Sequence, residues 1–232
     1  MIGIVCVIYI DNDTTFKQAL HSLDSITSSY PLKLYARVVK LSNEYLSVLN
    51  YFDEVIKEKK NILARCWNNG IKDALKDKCE YVIFPNLDIE CYPNTIDNLI
   101  DFARNDDSVM WSGRCINTGA KYPSGDFIVS SYTVYDNFAF PMVNNRLFKE
   151  VGEFDEKFIP CYGEDVDMQY RIELVGRKHT CVESAGFKHF GQTTVNNSPD
   201  WKIPLQDKAH EYFIKKWGGF PRQHKFKTPF NK

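Results

Sequence analysis

A short acidic segment, Asn86-Leu87-Asp88-Ile89-Glu90, carries side chains suited to chemistry in the first half of the chain. It directly follows residues 81–84, an apolar run that is typical of a buried strand and stops at Pro85. Because side chains two residues apart in an extended chain point the same way, Asp88 and Glu90 can act on one ligand. Two carboxylates suit Mg²⁺ or Mn²⁺ when phosphate supplies the other ligands. A solvated acidic turn is the alternative interpretation.

A second acidic segment, Gly163-Glu164-Asp165-Val166-Asp167, opens a helix predicted over residues 164–175. Acidic residues in a first turn also stabilise the helix dipole, so a purely structural role is an alternative here. Consecutive helical positions point about 100° apart. Glu164 and Asp165 therefore cannot serve the same spot, and at most one of them is expected to act as a base.

Two weaker signals accompany the acidic segments. His189 follows residues 178–183, a strand-like stretch, and a lone histidine is more often structural than functional. Its imidazole is nevertheless a good ligand for Mn²⁺ and can complete a site begun by Asp88. Asn68-Asn69-Gly70, near the start of a helix predicted over residues 66–75, is either a helix cap or a turn that faces a ligand.

Alternating strands and helices position these residues in the first half of the chain. The unbroken apolar run Ile2–Ile10 is typical of a strand buried on both faces of a parallel sheet, and further strands are predicted over residues 34–39 and 81–84. Ligands of open α/β sheets bind beyond the carboxyl ends of the strands, which is where the first acidic segment lies. Helices with one apolar face are predicted around residues 16–26, 46–56, 66–75 and 96–103.

The second half mixes strand-like pieces with polar turns. Strands are predicted over residues 109–111 and 127–134, and a last helix over residues 205–217 is closed by Gly218-Gly219. This pattern predicts one composite domain without a long linker. Its parts are a nucleotide-binding half over about residues 1–105, a mixed half over about 106–204, and a C-terminal helix and tail over about 205–232.

Bulk composition describes an ordinary folded domain. The 232 residues are 44% hydrophobic and 25% charged, which argues against disorder, collagen-like repeats and a coiled coil. The net charge is −1, but six basic residues and no acidic one follow Glu211, which leaves −7 for the preceding part. Basic charge interleaved with aromatic residues can clamp a tail to the domain, bind an acceptor, or contact nucleic acid or an anionic membrane.

Cysteine spacing and the N-terminal run bear on the compartment. The seven scattered cysteines contain no Cys-x-x-Cys pair, which argues against a structural zinc site and favours reduced thiols. Ile2–Ile10 is too short to span a membrane and lacks a basic flank and a cleavage site. We therefore expect a cytoplasmic protein without a transmembrane segment.

Taken in order, these segments resemble the inverting glycosyltransferases of family 2, which have the GT-A fold, and among them the rhamnosyltransferase-like branch. The resemblance covers about residues 2–195, and the block Phe148–Phe158 is its most specific part, with the pattern Val-Gly-x-Phe-Asp-Glu-x-Phe. The other matching pieces are Tyr9-Ile10-Asp11-Asn12, Asn68-Asn69-Gly70-Ile71 with Ala74, residues 81–88, Glu164-Asp165-Val166-Asp167, Arg171 and Gly176.

The resemblance implies an α/β GT-A fold, in which a nucleotide-binding, mostly parallel central sheet is flanked by helices and followed by a mixed acceptor-side half. It also implies roles for single residues. Asp88 would bind a divalent metal, Mn²⁺ or Mg²⁺, on the donor's diphosphate, with His189 completing the site and Glu90 as a further candidate ligand. Asp165 matches the position of the catalytic base, and Glu164 would orient the site or the acceptor.

The sequence departs from the family pattern at two places. Asn86 replaces the first aspartate of the Asp-x-Asp motif, and the second strand ends at Val39-Lys40-Leu41-Ser42-Asn43 without the aspartate that commonly reads the nucleobase. Uridine, thymidine and guanosine donors are therefore all open, and we favour a UDP-sugar. Contacts to the nucleotide-sugar are expected from Tyr9, Asp11, Arg65, Asn68, Asn86 and Asp88.

The resemblance thus implies a metal-dependent, inverting transferase that moves a hexosyl or pentosyl group from a nucleotide-diphosphate sugar to an acceptor hydroxyl. The expected acceptor is a glycan, and a modified nucleic-acid base held by the basic tail is the second candidate. The same acidic residues would also suit a metal-dependent phosphoesterase, and a catalytically inactive sugar- or nucleotide-binding module is a third class. A dehydrogenase is disfavoured because no Gly-x-Gly-x-x-Gly follows the first strand.

Overall fold

The structure is a computed structural model that describes residues 1–116, 129–130, 138–191, 199–220 and 223–232, with the backbone alone at 129–130 and 199–204. Its first half contains β1 (Ile2–Ile10), α1 (Asp13–Ser25), β2 (Leu32–Leu41), a 3₁₀ helix (Asn43–Tyr51), β3 (Glu54–Lys57), α2 (Leu63–Lys76), β4 (Tyr81–Ile83), β5 (Ile89–Cys91) and α3 (Thr95–Ala103). The second half contains β6 (Met110–Cys115), β7 (Val129–Ser130), β8 (Pro141–Val143), α4 (Asn145–Glu150), α5 (Glu164–Leu174), β9 (His179–His189), α6 (Pro199–Trp217) and a second 3₁₀ helix (Pro229–Asn231).

The strands of the described residues form one sheet with the order β3-β2-β1-β4-β8-β6-β9-β5, and β7 pairs with β9. The sheet is parallel from β3 to β4, because β1 pairs in parallel with β2 and β4, and β2 pairs in parallel with β3. Beyond β4 it is mixed: β8 runs antiparallel to β4 and β6, whereas β6 and β9 are parallel. The predicted α/β architecture, with a parallel first half and a mixed second half, is confirmed.

Helices cover both faces of the sheet, and β1 contributes to the core on each side. On one face Ile8 packs in a cluster with Leu23 of α1, and α3 joins the same cluster. On the other face Val5 packs with Ile71 of α2 and Met168 of α5. Because successive side chains of a strand point to opposite faces, burial of both explains why the sequence of β1 is apolar without interruption.

Helix α2 lies close to β1 because a glycine stands at the contact on each element, Gly70 on α2 and Gly3 on β1. A Cβ atom at Gly70 would lie 2.2 Å from Cγ1 of Val5, and one at Gly3 would lie 2.8 Å from Cβ of Ala74. Only a residue without a side chain fits such an approach of helix and strand. The glycine and alanine of the Asn68–Ala74 motif therefore serve helix packing.

The prediction of a helix over residues 46–56 is wrong. The chain forms the 3₁₀ helix Asn43–Tyr51 and then the edge strand β3, which pairs with β2. The transition lies at Asp53, whose N–H donates to the carbonyl of Leu34 and whose carboxylate accepts the Leu34 N–H. These bonds to β2 favour a strand for the β-branched residues that follow, and they depend on the tertiary fold.

Strand β9 is longer than predicted. The prediction placed a strand over residues 178–183 and His189 in the chain after it, whereas the strand runs over His179–His189. Against β6 the register shifts between Gly113 and Arg114, and β9 continues beyond this irregularity. His189 is therefore the last residue of a strand, which gives its side chain a position fixed by the sheet.

The strand predicted over residues 127–134 falls mostly outside the described residues, and Val129–Ser130 forms the short strand β7 there. The three-part division of the domain stays a prediction. Across the described ranges, none of the helices combines the length and the apolar character needed to cross a membrane.

Candidate active site

A cleft of about 380 Å³ lies at the carboxyl ends of β1 and β4 and beside the first turn of α5. This is the edge of an open α/β sheet at which ligands bind. It is lined by six of the residues predicted from the sequence: Tyr9, Asn86, Asp88, Glu164, Asp165 and His189. It is also lined by polar and aromatic residues that were not predicted, among them Thr15, Gln18, Asn61, Trp67 and Tyr162.

The pairing of β5 with β9 brings Asp88 and His189 together. Ile89 is the antiparallel partner of His189, and the N–H of Phe190 donates to the carbonyl of Asp88 at 2.8 Å. The imidazole Nε2 of His189 lies 3.0 Å from Oδ1 of Asp88, and these side chains are 15% and 16% exposed. Two residues 101 positions apart therefore present a carboxylate and an imidazole to the same cleft.

This pair fits a divalent metal as part of its ligand set. Within the described residues, no group of three or more His, Cys, Asp or Glu side chains is placed to hold a metal ion. Asp88 and His189 supply two donors, which suits an ion that takes its other ligands from phosphate oxygens and water. The carboxylate suits Mn²⁺ or Mg²⁺, and the imidazole adds a nitrogen donor that first-row transition metals accept.

Glu90 is close to Asp88 in sequence but has different partners. Its carboxylate accepts a hydrogen bond from Nζ of Lys188 at 3.1 Å and lies 3.5 Å from Nε2 of His21. The hydrogen bond from Lys188 holds the pKa of Glu90 below its usual range. Glu90 is absent from the described residues that line the cleft, so the structure does not bring it to the site of Asp88.

A sharp turn delivers the second acidic segment to the cleft. Tyr162 and Gly163 both have left-handed backbone conformations, with φ of +77° and +87°. A Cβ atom at Gly163 would lie 2.8 Å from the ring of Phe158, so both conformation and space favour glycine. The turn leads directly into α5, whose first two residues, Glu164 and Asp165, line the cleft.

Glu164 and Asp165 differ in exposure. Glu164 is only 4% exposed, and its burial raises its pKa well above the ordinary value, with the charge of Asp165 adding to the effect. Asp165 is half-buried; burial raises its pKa, while the backbone N–H of Val166, a donor at 2.8 Å, lowers it. A carboxylate with a raised pKa accepts protons more readily. Asp165 is the more accessible of the two.

Three residues predicted to contact a nucleotide-sugar are engaged in other interactions. Asp11 accepts a hydrogen bond from Nζ of Lys40 at 2.7 Å, and Nε of Arg65 donates to Glu156 at 2.7 Å. Asn68 is buried within the protein. None of these three is among the described residues that line the cleft, and their contacts with a donor stay predictions.

Asn68 connects α2 to the chain segment that leads toward α5. Its Nδ2 donates to the carbonyl of Phe154 at 2.9 Å, and its Oδ1 accepts the N–H of Phe154 at 2.9 Å. Both hydrogen bonds are buried and join residues 86 positions apart. The side chain of Asn68 thus pairs with both the N–H and the carbonyl group of Phe154.

Replacing Asn68 with alanine is expected to lower the free energy of unfolding by about 2–4 kcal/mol, because two buried backbone groups lose their partners. Asn69 is the matched control, since its contacts with Glu58 are 3.4 Å or longer. Asn69→Ala is expected to cost less than about 1 kcal/mol. Urea unfolding measures both changes, and equal losses for the two variants would contradict the structural role of Asn68.

A sequence signal existed for one of the missed lining residues. Asn12 caps α1, because its Oδ1 accepts the N–H of Thr15 at 3.0 Å. A capping residue directly after β1 places the first turn of α1 beside the end of that strand, and Thr15 lies in this turn. Asn61 and Trp67 carried no comparable signal in the sequence.

No protein-family model and no curated protein matches the chain. Solved structures do match it. S. aureus TarS 1–349 in complex with UDP is 14% identical, with a TM-score of 0.59 over 80% of this chain and 59% of that one. The same protein in complex with UDP-GlcNAc is 13% identical, with a TM-score of 0.61 over 92% and 66%. GalNAc-T7 with UDP, GalNAc and Mn²⁺ is 16% identical, with a TM-score of 0.62 over 93% and 50%.

These structures are glycosyltransferases of the GT-A type, and the likeness shows that the chain shares their fold. The GT-A fold predicted from the sequence is therefore confirmed. At this level of identity the likeness concerns the fold alone, and the chain spans 59% of the length of TarS 1–349. Membership of family 2 and of its rhamnosyltransferase-like branch stays a prediction.

Proposed function

We propose that the protein is an inverting glycosyltransferase that moves a sugar from a nucleotide-diphosphate donor to an acceptor hydroxyl. A UDP-sugar is the favoured donor. The observation that carries the proposal is that Asp165 lines the same cleft as the Asp88–His189 pair. Inversion needs a base on one side of the anomeric carbon and a site for the leaving group on the other. The GT-A fold and the UDP and UDP-GlcNAc bound by TarS support this assignment.

The Asp88–His189 pair is proposed to hold Mn²⁺ or Mg²⁺ at the donor's diphosphate. When bound, such an ion stabilises the negative charge that grows on the leaving group. Asn86, two residues before Asp88 and also part of the cleft lining, can donate a hydrogen bond from its amide to an oxygen of the nucleotide-sugar. The Mn²⁺ in the GalNAc-T7 structure supports a metal of this kind.

Asp165 is proposed to be the general base. Its carboxylate accepts the proton of the acceptor hydroxyl while that oxygen forms a bond to the anomeric carbon. The bond from this carbon to the diphosphate oxygen breaks, its electron pair leaves with the diphosphate, and the anomeric configuration inverts. Burial raises the pKa of Asp165, which strengthens the carboxylate as a base. Glu164, buried beside it, is proposed to orient the acceptor.

Tyr9 is proposed to contact the nucleobase of the donor. It lies in the last part of β1 and lines the cleft, and Nζ of Lys40 is 5.2 Å from the centre of its ring. An aromatic ring next to a lysine offers both a stacking surface and a positive charge for a nucleotide. Asp11 holds Lys40 in place through its ion pair.

The acceptor is proposed to be a glycan, with nucleic acid as the second candidate through the basic tail. Three tail residues, Lys225, Lys227 and Lys232, are exposed and available to an anionic partner. Lys216, by contrast, is buried against carboxylates. The tail therefore offers less free positive charge than its sequence indicates.

Thermal unfolding with a panel of nucleotides tests the donor assignment. UDP, UDP-GlcNAc, UDP-GalNAc, GDP-mannose and dTDP-glucose are compared with Mn²⁺ and with EDTA. A uridine donor at a hundredfold excess over its Kd is expected to add about 2.7 kcal/mol of stability, and to do so only with Mn²⁺. No shift with any of these compounds would overturn the transferase proposal. Hydrolysis of p-nitrophenyl phosphate without an acceptor would favour a phosphoesterase instead.

A further inference from the structure

The back of α5 carries a buried ionic cluster that the proposed reaction does not use. Asp167 is fully buried, and its Oδ1 lies 2.6 Å from Nζ of Lys216 and accepts the indole N–H of Trp217 at 2.8 Å. Its Oδ2 accepts a hydrogen bond from Nε of Arg171 at 2.9 Å. A buried carboxylate needs such partners, because an unpaired charge in the interior is strongly unfavourable.

Lys216 also binds a second carboxylate outside α5. Its Nζ lies 2.7 Å from Oδ2 of Asp155, which also accepts the hydroxyl of Tyr212 at 2.9 Å. The lysine side chain is 6% exposed. One ammonium group therefore joins α6 to two places, the first turn of α5 and the chain segment that precedes it.

Apolar contacts surround this cluster and hold α6 against α5. The rings of Tyr170 and Trp217 lie 4.8 Å apart, as do those of Phe158 and Tyr212. Phe158 is also the ring against which Gly163 packs at the start of α5. The end of α6 thus contacts both the first turn of α5 and the residues that shape the turn before it.

We infer that Lys216 is a positioning residue for Asp165, acting through Asp167. The two aspartates lie in the same helical turn, one facing the cleft and the other bound to α6. Fixing Asp167 from behind fixes the rotation of α5 about its axis and hence the direction of Asp165. The inference rests on the proposed function, because that function makes Asp165 the general base. The geometry of the cluster is independent of it.

The cluster also controls the charge around Asp165. Asp167 adds a negative charge that raises the pKa of both Glu164 and Asp165, and Lys216 and Arg171 compensate that charge. The other titratable groups that face these carboxylates are Cys161 and Tyr162 in the preceding turn, and Asp88 and His189 elsewhere in the cleft wall. Removal of Lys216 is therefore expected to raise the pKa of Asp165 further, because the charge of Asp167 is then less compensated.

Titration of the carboxyl groups in the full chain tests this inference without requiring turnover. Carbon-13 NMR follows Asp165, whose signal is assigned by its loss in Asp165→Asn. In Lys216→Met the midpoint of Asp165 is expected to rise by about half a pH unit or more, roughly a threefold change in its ionisation equilibrium. Lys216→Arg keeps the charge and is expected to restore the midpoint. An unchanged midpoint in folded Lys216→Met would overturn the inference.

Two control variants separate positioning from general stabilisation. Lys215→Met removes an exposed neighbouring charge, and Tyr212→Phe removes a hydrogen bond to Asp155 without touching Asp167. Both are expected to leave the midpoint of Asp165 unchanged. If Lys216→Met does not fold, Lys216→Gln takes its place, because it removes the positive charge beside Asp167 but keeps a polar side chain there. A normal Asp165 signal and midpoint in that variant would then overturn the inference.

The kinetic readout is the release of UDP from the UDP-sugar that stabilises the protein in the nucleotide panel. Lys216→Met is expected to lower kcat at least threefold on the acidic side of the pH profile, to move that limb to higher pH, and to leave the donor KM unchanged. A uniform loss at every pH would indicate a merely structural role and overturn the inference. Absence of turnover in the wild-type protein with every nucleotide-sugar of the panel contradicts the proposed function instead, and the carboxyl titration then decides the inference alone.

Discussion

Asp165→Asn is expected to lower kcat for sugar transfer about 10²- to 10⁴-fold, the range that a positioned general base contributes. Asparagine keeps the size of the side chain but cannot take the proton of the acceptor hydroxyl. The donor KM is expected to change little, because Asp165 lies at the start of α5 and the proposed diphosphate site is formed by Asp88 and His189. Release of UDP from the UDP-sugar that stabilises the protein in the nucleotide panel measures kcat and KM, and the Mn²⁺-dependent thermal shift reports donor binding.

Glu173→Gln is the matched control for this experiment. Glu173 is an exposed acid on the same helix, so its replacement changes the charge of α5 without entering the cleft. Its activity is expected to equal that of the wild type. If Asp165→Asn keeps most of the wild-type kcat, another group takes the proton and the assignment of the base is wrong.

Asp88→Ala is expected to weaken Mn²⁺-dependent binding of UDP by at least about tenfold, since changes around metal ligands cost affinity on this scale or more. His189→Ala is expected to act in the same direction, because the two side chains lie 3.0 Å apart and are proposed to bind one ion. Isothermal titration of UDP in the presence of Mn²⁺, and again with EDTA, gives the metal-dependent part of the affinity.

Glu90→Gln is the control at the metal site. Its carboxylate is paired with Lys188 and lies near His21, so its loss is expected to leave Mn²⁺-dependent binding of UDP unchanged. A loss equal to that of Asp88→Ala would place Glu90 among the metal ligands. Unchanged affinity in both Asp88→Ala and His189→Ala would contradict the proposed metal site itself.

Local pattern was sufficient for the elements that carry a strong periodic or apolar signal. The run Ile2–Ile10 became β1 with its predicted bounds, and the helix predicted over residues 164–175 is α5, Glu164–Leu174. Residues 46–56 were misassigned because Leu46, Leu49 and the apolar residues after them fit a helical spacing. The hydrogen bonds that make β3 a strand come from β2, which a local pattern cannot reveal.

The types of the site residues were predictable, but their partners were not. Asp88 and Asp165 could be singled out from their places after a strand and at the start of a helix. The ion pairs that hold Glu90 and Arg65 join residues 98 and 91 positions apart, and nothing local in the sequence indicates them. Residue type alone therefore predicted more ligand contacts than the structure brings to the cleft.

Burial also changed the electrostatic argument for the base. The position of Asp165 at a helix N terminus by itself favours the ionised carboxylate. Hydrogen bonds from backbone N–H groups do lower its pKa, but burial is the larger effect and raises it. A sequence shows which residue begins a helix, whereas the depth of that helix end in the protein depends on the whole fold.

The contact between Lys216 and Asp167 has a consequence for the order in which a working enzyme is completed on the ribosome. All the described residues that line the cleft have been synthesised once His189 has been added. At that stage Asp167 still lacks its ammonium partner, which is added 27 residues later. On our inference, a nascent chain stopped between these two points contains all the described lining residues but lacks the ammonium group that fixes Asp167. Catalytic competence therefore follows the translation of α6.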